Sequence, residues 1–211
     1  MKTPVLAVAL MLGALVPSRG EYLGTLEGSW PIQDIEEIRV EFPVGNLVLE
    51  SSDEPQIRAQ LGVRCRHGGR ACYERSKQLR LVTQVFGRTR HLKLEGMPKF
   101  GNHGLEVTLR IAVPKALAVD AEMGVGDCRV EGIVRDLHLE LGVGNVDVAL
   151  RERDVRSVRV AVGIGDATLR RGGNAQVVSG LLGRKVRWDE GAGESRVSVE
   201  LGVGDVEVRL D

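Results

Sequence analysis

Apolar and polar residues alternate with period two through most of the second half of this chain, and four near-copies of one tetrapeptide punctuate the alternation. Val119, Ala121 and Met123 lead into Gly124-Val125-Gly126-Asp127; Leu137, Leu139 and Leu141 lead into Gly142-Val143-Gly144-Asn145. Val158, Val160 and Val162 precede Gly163-Ile164-Gly165-Asp166, and Val197, Val199 and Leu201 precede Gly202-Val203-Gly204-Asp205. The pattern resumes after each copy, with Cys128 and Val130, Val146 and Val148, Ala167 and Leu169, and Val206 and Val208 on one side. Period two with one apolar face predicts half-buried strands. The glycines let the backbone turn between them through positive φ.

The first three copies, starting at Gly124, Gly142 and Gly163, follow one another at intervals of roughly 20 residues, a period typical of repeat folds. The step from Gly163 to Gly202 is close to two such intervals. A regular period of this size predicts a repeat fold in which each strand pairs with its counterpart one coil along, burying a face that no coil could bury alone. A further coil is expected between the third and fourth copies, with a stretched corner at Gly180-Leu181-Leu182-Gly183, Val186 and Trp188 inward, and Arg184, Lys185 and Arg187 outward. An upstream copy reads Pro43-Val44-Gly45-Asn46, between Ile38, Val40 and Phe42 and then Leu47 and Leu49. Strands are also expected over 57–65 and 105–113, a short helix over 72–80, and a loop over 96–104. The fold class is therefore all-β: a β-helix or solenoid of single-strand coils, each about 20 residues long. Leu210-Asp211 would leave an open edge at its end; either Glu207, Arg209 and Asp211 blunt it, or concentration-dependent end-to-end association through it is expected.

Residues 1–20 carry Lys2, an apolar run from Pro4 to Val16 and then Pro17-Ser18-Arg19-Gly20. This predicts a signal peptide cut ahead of Glu21 and an exported protein, without a membrane span after cleavage. Residues 21–115 are read as the N-terminal β-rich part and 116–211 as the regular coils. Formal net charge is zero over 211 residues, but one base stands against nine acids in residues 21–55 and eleven against two in residues 56–99. Two readings stand: mutual compensation of neighbouring segments, or a basic face for an anionic partner.

A strand running into Val113-Pro114-Lys115, followed by successive Gly-x-Gly-Asp/Asn corners, resembles the bacterial putative-adhesin domain family of unknown function, also called toastrack-type. The Pro43-Val44-Gly45-Asn46 corner and the export signal fit as well, and the resemblance spans roughly residues 30–211. It implies a right-handed β-helix-like fold outside the cytoplasm and brings no catalytic residues. Three cysteines and the basic middle segment depart from it.

The corners are not phosphate loops: the position that Gly-x-Gly-x-x-Gly would fill with glycine holds Arg129, Asp147, Thr168 and Glu207, and no helix follows. Calcium-binding nonapeptide repeats require a different spacing of glycine and acid, so Asp127, Asn145, Asp166 and Asp205 are read as bonding their own turn amides. No cofactor, metal or nucleic acid is expected. Cys128 shares the inward column of Val146 and is read as a buried free thiol. Cys65 and Cys72 are read as a disulfide, against a metal-site alternative with His67 and either His91 or His103. Glu122, Glu140 and Glu200 share an outward column interrupted by Ala161, the basis for a polysaccharide-active enzyme as the weakest alternative. The leading expectation is a non-enzymatic adhesin-like or envelope interaction domain, with Arg64, Arg66, Arg70, Arg75, Lys77 and Arg80 as a patch for an anionic envelope polymer. The alternative is a scaffold or sensor domain that binds another envelope protein.

Overall fold

The alternating segments form strands whose two faces differ as the sequence demands. The computed structural model describes residues 21–66, 69–97, 104–172, 174–178 and 183–211. The signal-peptide segment, His67, His103 and most of the stretched corner at 180–183 lie outside the described residues. Among the described residues, fourteen strands, one short α-helix and one 3-10 turn follow in the order β1 (Glu21–Pro31), β2 (Glu37–Ser52), β3 (Gln56–Cys65), α1 (Arg70–Ser76), β4 (Arg80–Phe86), β5 (Thr89–Glu95), β6 (Leu105–Pro114) and β7 (Ala118–Glu131). The remainder are β8 (Leu137–Leu150), the 3-10 turn (Glu152–Asp154), β9 (Val155–Ile164), β10 (Ala167–Arg171), β11 (Asn174–Val178), β12 (Arg184–Trp188), β13 (Ser195–Val203) and β14 (Val206–Leu210).

Each Gly-x-Gly corner divides a strand run into two arms. The arms before the corners pair in the order β4-β5-β2-β7-β8-β13-β9-β12, and those after them in the order β1-β3-β6-β2-β7-β8-β14-β10-β11. From β2 to β9 and from β2 to β10 the pairing is parallel and in register. The inward residues of both arms, from Ile38 and Phe42 through Leu139, Val146 and Val148 to Val208, belong to one buried cluster. At about 1.5–3 kcal/mol per buried aliphatic side chain, these columns are the main source of stability.

The order of the corners along the sheet departs from the sequence expectation. The upstream copy in β2 lies directly against the first regular copy in β7. The fourth copy, in β13 and β14, inserts between the second in β8 and the third in β9 and β10. Ser195 fixes this insertion: its side chain is buried and its Oγ donates to the Arg135 carbonyl at 2.8 Å, while Asp136 Oδ1 accepts from the Arg196 amide at 2.8 Å. The long interval between the third and fourth copies therefore holds an antiparallel excursion, β11 against β10 and β12 against β9, instead of a further parallel coil. Arg184 shares the phase of buried Val186, contrary to its expected outward placement, and its Nε is buried. With β14 paired on both sides, the expected open edge at Leu210-Asp211 does not exist. The sheet edges are β11 and β12 at one end, β1 and β4 at the other.

The expected strands over 57–65 and 105–113 correspond to β3 and β6, and the helix lies two residues earlier than its expected start. β1, β4 and β5 were not anticipated. A signal for the last two is the two-residue link Gly87-Arg88, in which Gly87 takes a positive φ between short apolar-rich runs.

Candidate functional site

The corners set the geometry of the most distinctive surface. The second glycine of each has positive φ, 135° at Gly126 and 145° at Gly144, and a Cβ at Gly144 would fall on the Gly126 carbonyl. The first glycine is required for packing instead: a Cβ at Gly142 would run into the Gly124 carbonyl oxygen, and Gly163 and Gly202 meet the same obstacle from neighbouring corners. Pro43 is tolerated in the terminal corner of the stack, where no earlier copy precedes it.

Parallel register then places the middle residues side by side in the row Val44, Val125, Val143, Val203, Ile164. Eight large hydrophobic side chains are exposed among the described residues, and four of them are in this row: Val125 (47%), Val143 (47%), Val203 (42%) and Ile164 (49%). In the sequence these residues stand out only as the second residue of a recurring tetrapeptide, between its two glycines. The signal was present, since a β-branched apolar residue recurs at a position that the turn pushes outward.

Two acidic rows flank the apolar one. On the first side Glu41, Glu122, Glu140 and Glu200 occupy successive rungs. Ala161 does not interrupt them, because the inserted β13 puts Glu200 beside Glu140 and Ala161 beyond it. The row is bounded by Lys93 next to Glu41 and Lys185 next to Ala161. On the second side run Asn46, Asp127, Asn145, Asp205 and Asp166. Shallow grooves follow both shoulders, one lined by Glu122, Glu140 and Glu200 with Arg184 and Lys185 at its β12 end, the other by Asp127, Asp166 and Asp205 with Arg129, which is paired with Glu131.

Asp127 and Asp205 reach across to neighbouring corners, and among the described residues no corner acid bonds its own turn amide. Asp127 Oδ1 accepts from the Asn145 side-chain Nδ2 at 3.0 Å, and Asp205 Oδ1 accepts from the Asp166 amide at 2.9 Å. Strands only about 4.8 Å apart bring the neighbouring corner's donors within reach. Glu41 is paired with Lys93 at 2.8 Å and Glu140 with His138 at 3.0 Å. Among the described residues, Glu122, Glu200, Asp127, Asp166 and Asp205 have no cationic ion-pair partner. No group of three His, Cys, Asp or Glu side chains able to hold a metal ion occurs among the described residues.

The basic segment is distributed differently. Arg66 pairs with Glu106 at 2.5 Å; Lys77 pairs with Glu74 at 3.2 Å and sits 4.3 Å from the Tyr73 ring centre. Arg80 donates to the carbonyls of Lys77 and Leu79. Arg64 lies on β3 beside Glu106 of β6, and Arg70 and Arg75 are carried by α1. Arg64, Arg66 and α1 are gathered where the Cys65–Cys72 disulfide ties the helix to the end of β3, with Cα atoms 6.1 Å apart. Arg80 opens β4 in the other arm of the fold. Cys128 is buried and free, and burial pushes its thiol up to about 12, so it stays protonated at neutral pH.

No family model matches the chain, and no curated protein matches it. Among solved structures it is similar to a putative cell adhesion protein from Clostridium sporogenes, with 13% identity and a TM-score of 0.57 over 90% of this chain and 100% of that one. A putative adhesin from Bacteroides fragilis is 11% identical over 90% of this chain and 98% of that one, with a TM-score of 0.26. A putative adhesin from Parabacteroides distasonis is 14% identical over 87% and 96%, with a TM-score of 0.28. The clostridial match, running end to end through that protein, shows that the two chains share a fold.

Proposed function

We propose that this chain is an exported, non-catalytic β-solenoid of the adhesin-like type, whose work is to bind another protein of the cell envelope. The observation that carries the reading is the row Val125, Val143, Val203 and Ile164, left exposed in one line on a rigid ladder. A line of exposed aliphatic side chains rimmed by polar residues is how interaction surfaces differ from ordinary surface. The parallel, in-register coils support the solenoid description. The name given to the clostridial protein agrees with an adhesion role, and the Cys65–Cys72 disulfide suits an oxidising compartment. The resemblance to the toastrack-type adhesin domains is part of the same proposal.

A second reading has its own support: Arg70 and Arg75 form no ion pair among the described residues, as a site for an anionic envelope polymer would require. Ionic strength separates the two. Immobilised protein should retain envelope polypeptides through a wash in molar salt. Retention of anionic polymer alone, eluted by that wash, would overturn the first reading and leave the second.

A further inference from the structure

We propose that the corner edge is the docking site for a basic amphipathic helix of the partner, its apolar stripe laid along Val44, Val125, Val143, Val203 and Ile164 and its flanking lysines and arginines set against the acids on both shoulders. The proposal rests on the protein-binding reading and names the chemistry of the partner.

The row crosses the strands, so its side chains repeat at the strand spacing of about 4.8 Å, close to the roughly 5.4 Å pitch of an α-helix. One apolar residue per helical turn, at i, i+3 or i+4, therefore meets one rung, and over four steps the two repeats drift apart by only about 2–3 Å. The shoulders are bare next to the row. Gly124, Gly142, Gly202 and Gly163 stand on one side and Gly45, Gly126, Gly144, Gly204 and Gly165 on the other, so a cylinder can approach the backbone closely. Beyond the glycines come the acids, at the distance where the polar flanks of a helix about 10 Å wide would lie.

Charge selects the occupant. Glu41, Glu122, Glu140 and Glu200 occupy neighbouring rungs, where like charges destabilise a sheet. Only Glu41 has a lysine or arginine partner among the described residues, and Glu140 has His138. Cations from a partner would relieve that repulsion. A second copy packed row to row would instead set acid against acid, and an anionic lipid surface would be repelled. Lys93 and Lys185 at the two ends of the acidic row confine the cationic stretch of the partner to about four helical turns.

The test uses the whole protein and a labelled leucine–lysine peptide of about five helical turns, with leucines at i, i+3, i+4 and i+7, followed by fluorescence anisotropy. A scramble of the same composition and a leucine–glutamate counterpart are the controls. The patterned lysine peptide should bind at least tenfold tighter than its scramble, and the glutamate peptide should not bind. Val125→Asp with Val143→Asp should weaken binding at least tenfold. Val125→Ser with Val143→Ser, which adds no charge, should weaken it severalfold at an unchanged melting temperature. Glu122→Gln, Glu140→Gln and Glu200→Gln together should weaken it and flatten its salt dependence. Equal affinity for the scramble, or indifference to the serine pair, would overturn the proposal. So would concentration-dependent dimerisation abolished by Val143→Ser, which would make a second copy the occupant. Salt-resistant capture of envelope polypeptides that survives the serine pair would sink this site and spare the broader reading; loss of capture by the unaltered protein would sink both.

Discussion

The corner edge and the basic segment are the two parts of this molecule that carry concentrated charge, and they dispose of it in opposite ways. Residues 56–99 hold eleven bases to two acids, yet of the six in the patch Arg66 and Lys77 are paired with Glu106 and Glu74 and Arg80 is spent on backbone carbonyls, while Arg70 and Arg75 are without an ion pair among the described residues. The corner edge is inconspicuous in a charge count. Register nevertheless gathers its acids into rows, five of them without cationic partners among the described residues, beside exposed aliphatic side chains. Segment totals predict which charges exist. Pairing geometry decides which remain available to another molecule.

The largest effects are expected at the corner glycines. Gly144→Val forces a β-branched side chain into a positive-φ conformation and sets a Cβ on the Gly126 carbonyl. It should cost about 3 kcal/mol or more in thermal or urea unfolding. Gly87 also has positive φ but open space around it. Gly87→Ala should therefore cost only about 1–2 kcal/mol. Equal losses at the two sites would mean that the close approach between neighbouring corners is absent. On the basic side, replacing Cys65 and Cys72 with alanine opens a short loop at the end of β3. The loss should be about 2–3 kcal/mol. Because α1 is held there by the bridge, the change should alter polymer binding through Arg70 and Arg75 while leaving the peptide affinity of the corner edge unchanged. An unfolding midpoint indifferent to reductant would remove the staple from this account.

The strand phases and both cysteine environments were legible because period two sorts inside from outside without reference to partners. Thus Cys128 falls into the buried column of Val146 and Val206, and Cys65 ends an alternating strand near a second cysteine. The order in which the strands pair was not legible. The inward columns of β8, β9 and β13 are Leu-Leu-Leu, Val-Val-Val and Val-Val-Leu, aliphatic sets that pack in any sequence, and the deciding contacts are single polar ones at Ser195 and Asp136. That one ambiguity had consequences for the site, since it turned the interrupted glutamate column into four adjacent carboxylates. The exposed row is hidden in the sequence for a different reason. Alternation breaks at a corner, so period counting says nothing about where Val125 or Val143 points.

The smallest expected effect compares two members of the same glutamate row. The Glu41 carboxyl is held below the ordinary carboxylate range, first by the hydrogen bond from Lys93 and then, against some burial, by the charges of Lys93, His91 and Arg39; Lys93 is correspondingly raised. A lowered carboxylate stabilises the fold above its ordinary range, and that contribution disappears as pH falls through the lowered value. The raised lysine contributes below its ordinary range and loses that contribution as pH rises through the raised value. Both side chains are exposed, so Glu41→Gln should be only slightly destabilising near neutrality, less so in high salt, and without effect once the carboxylate is protonated. Glu200 has no such partner among the described residues and stands beside Glu140, so Glu200→Gln should be neutral or slightly stabilising near neutrality. Paired urea titrations at neutral and acidic pH resolve the two signs. If Glu200→Gln proved the more destabilising, its carboxylate would have a partner within the molecule, and the free charge assigned to the corner edge would shrink accordingly.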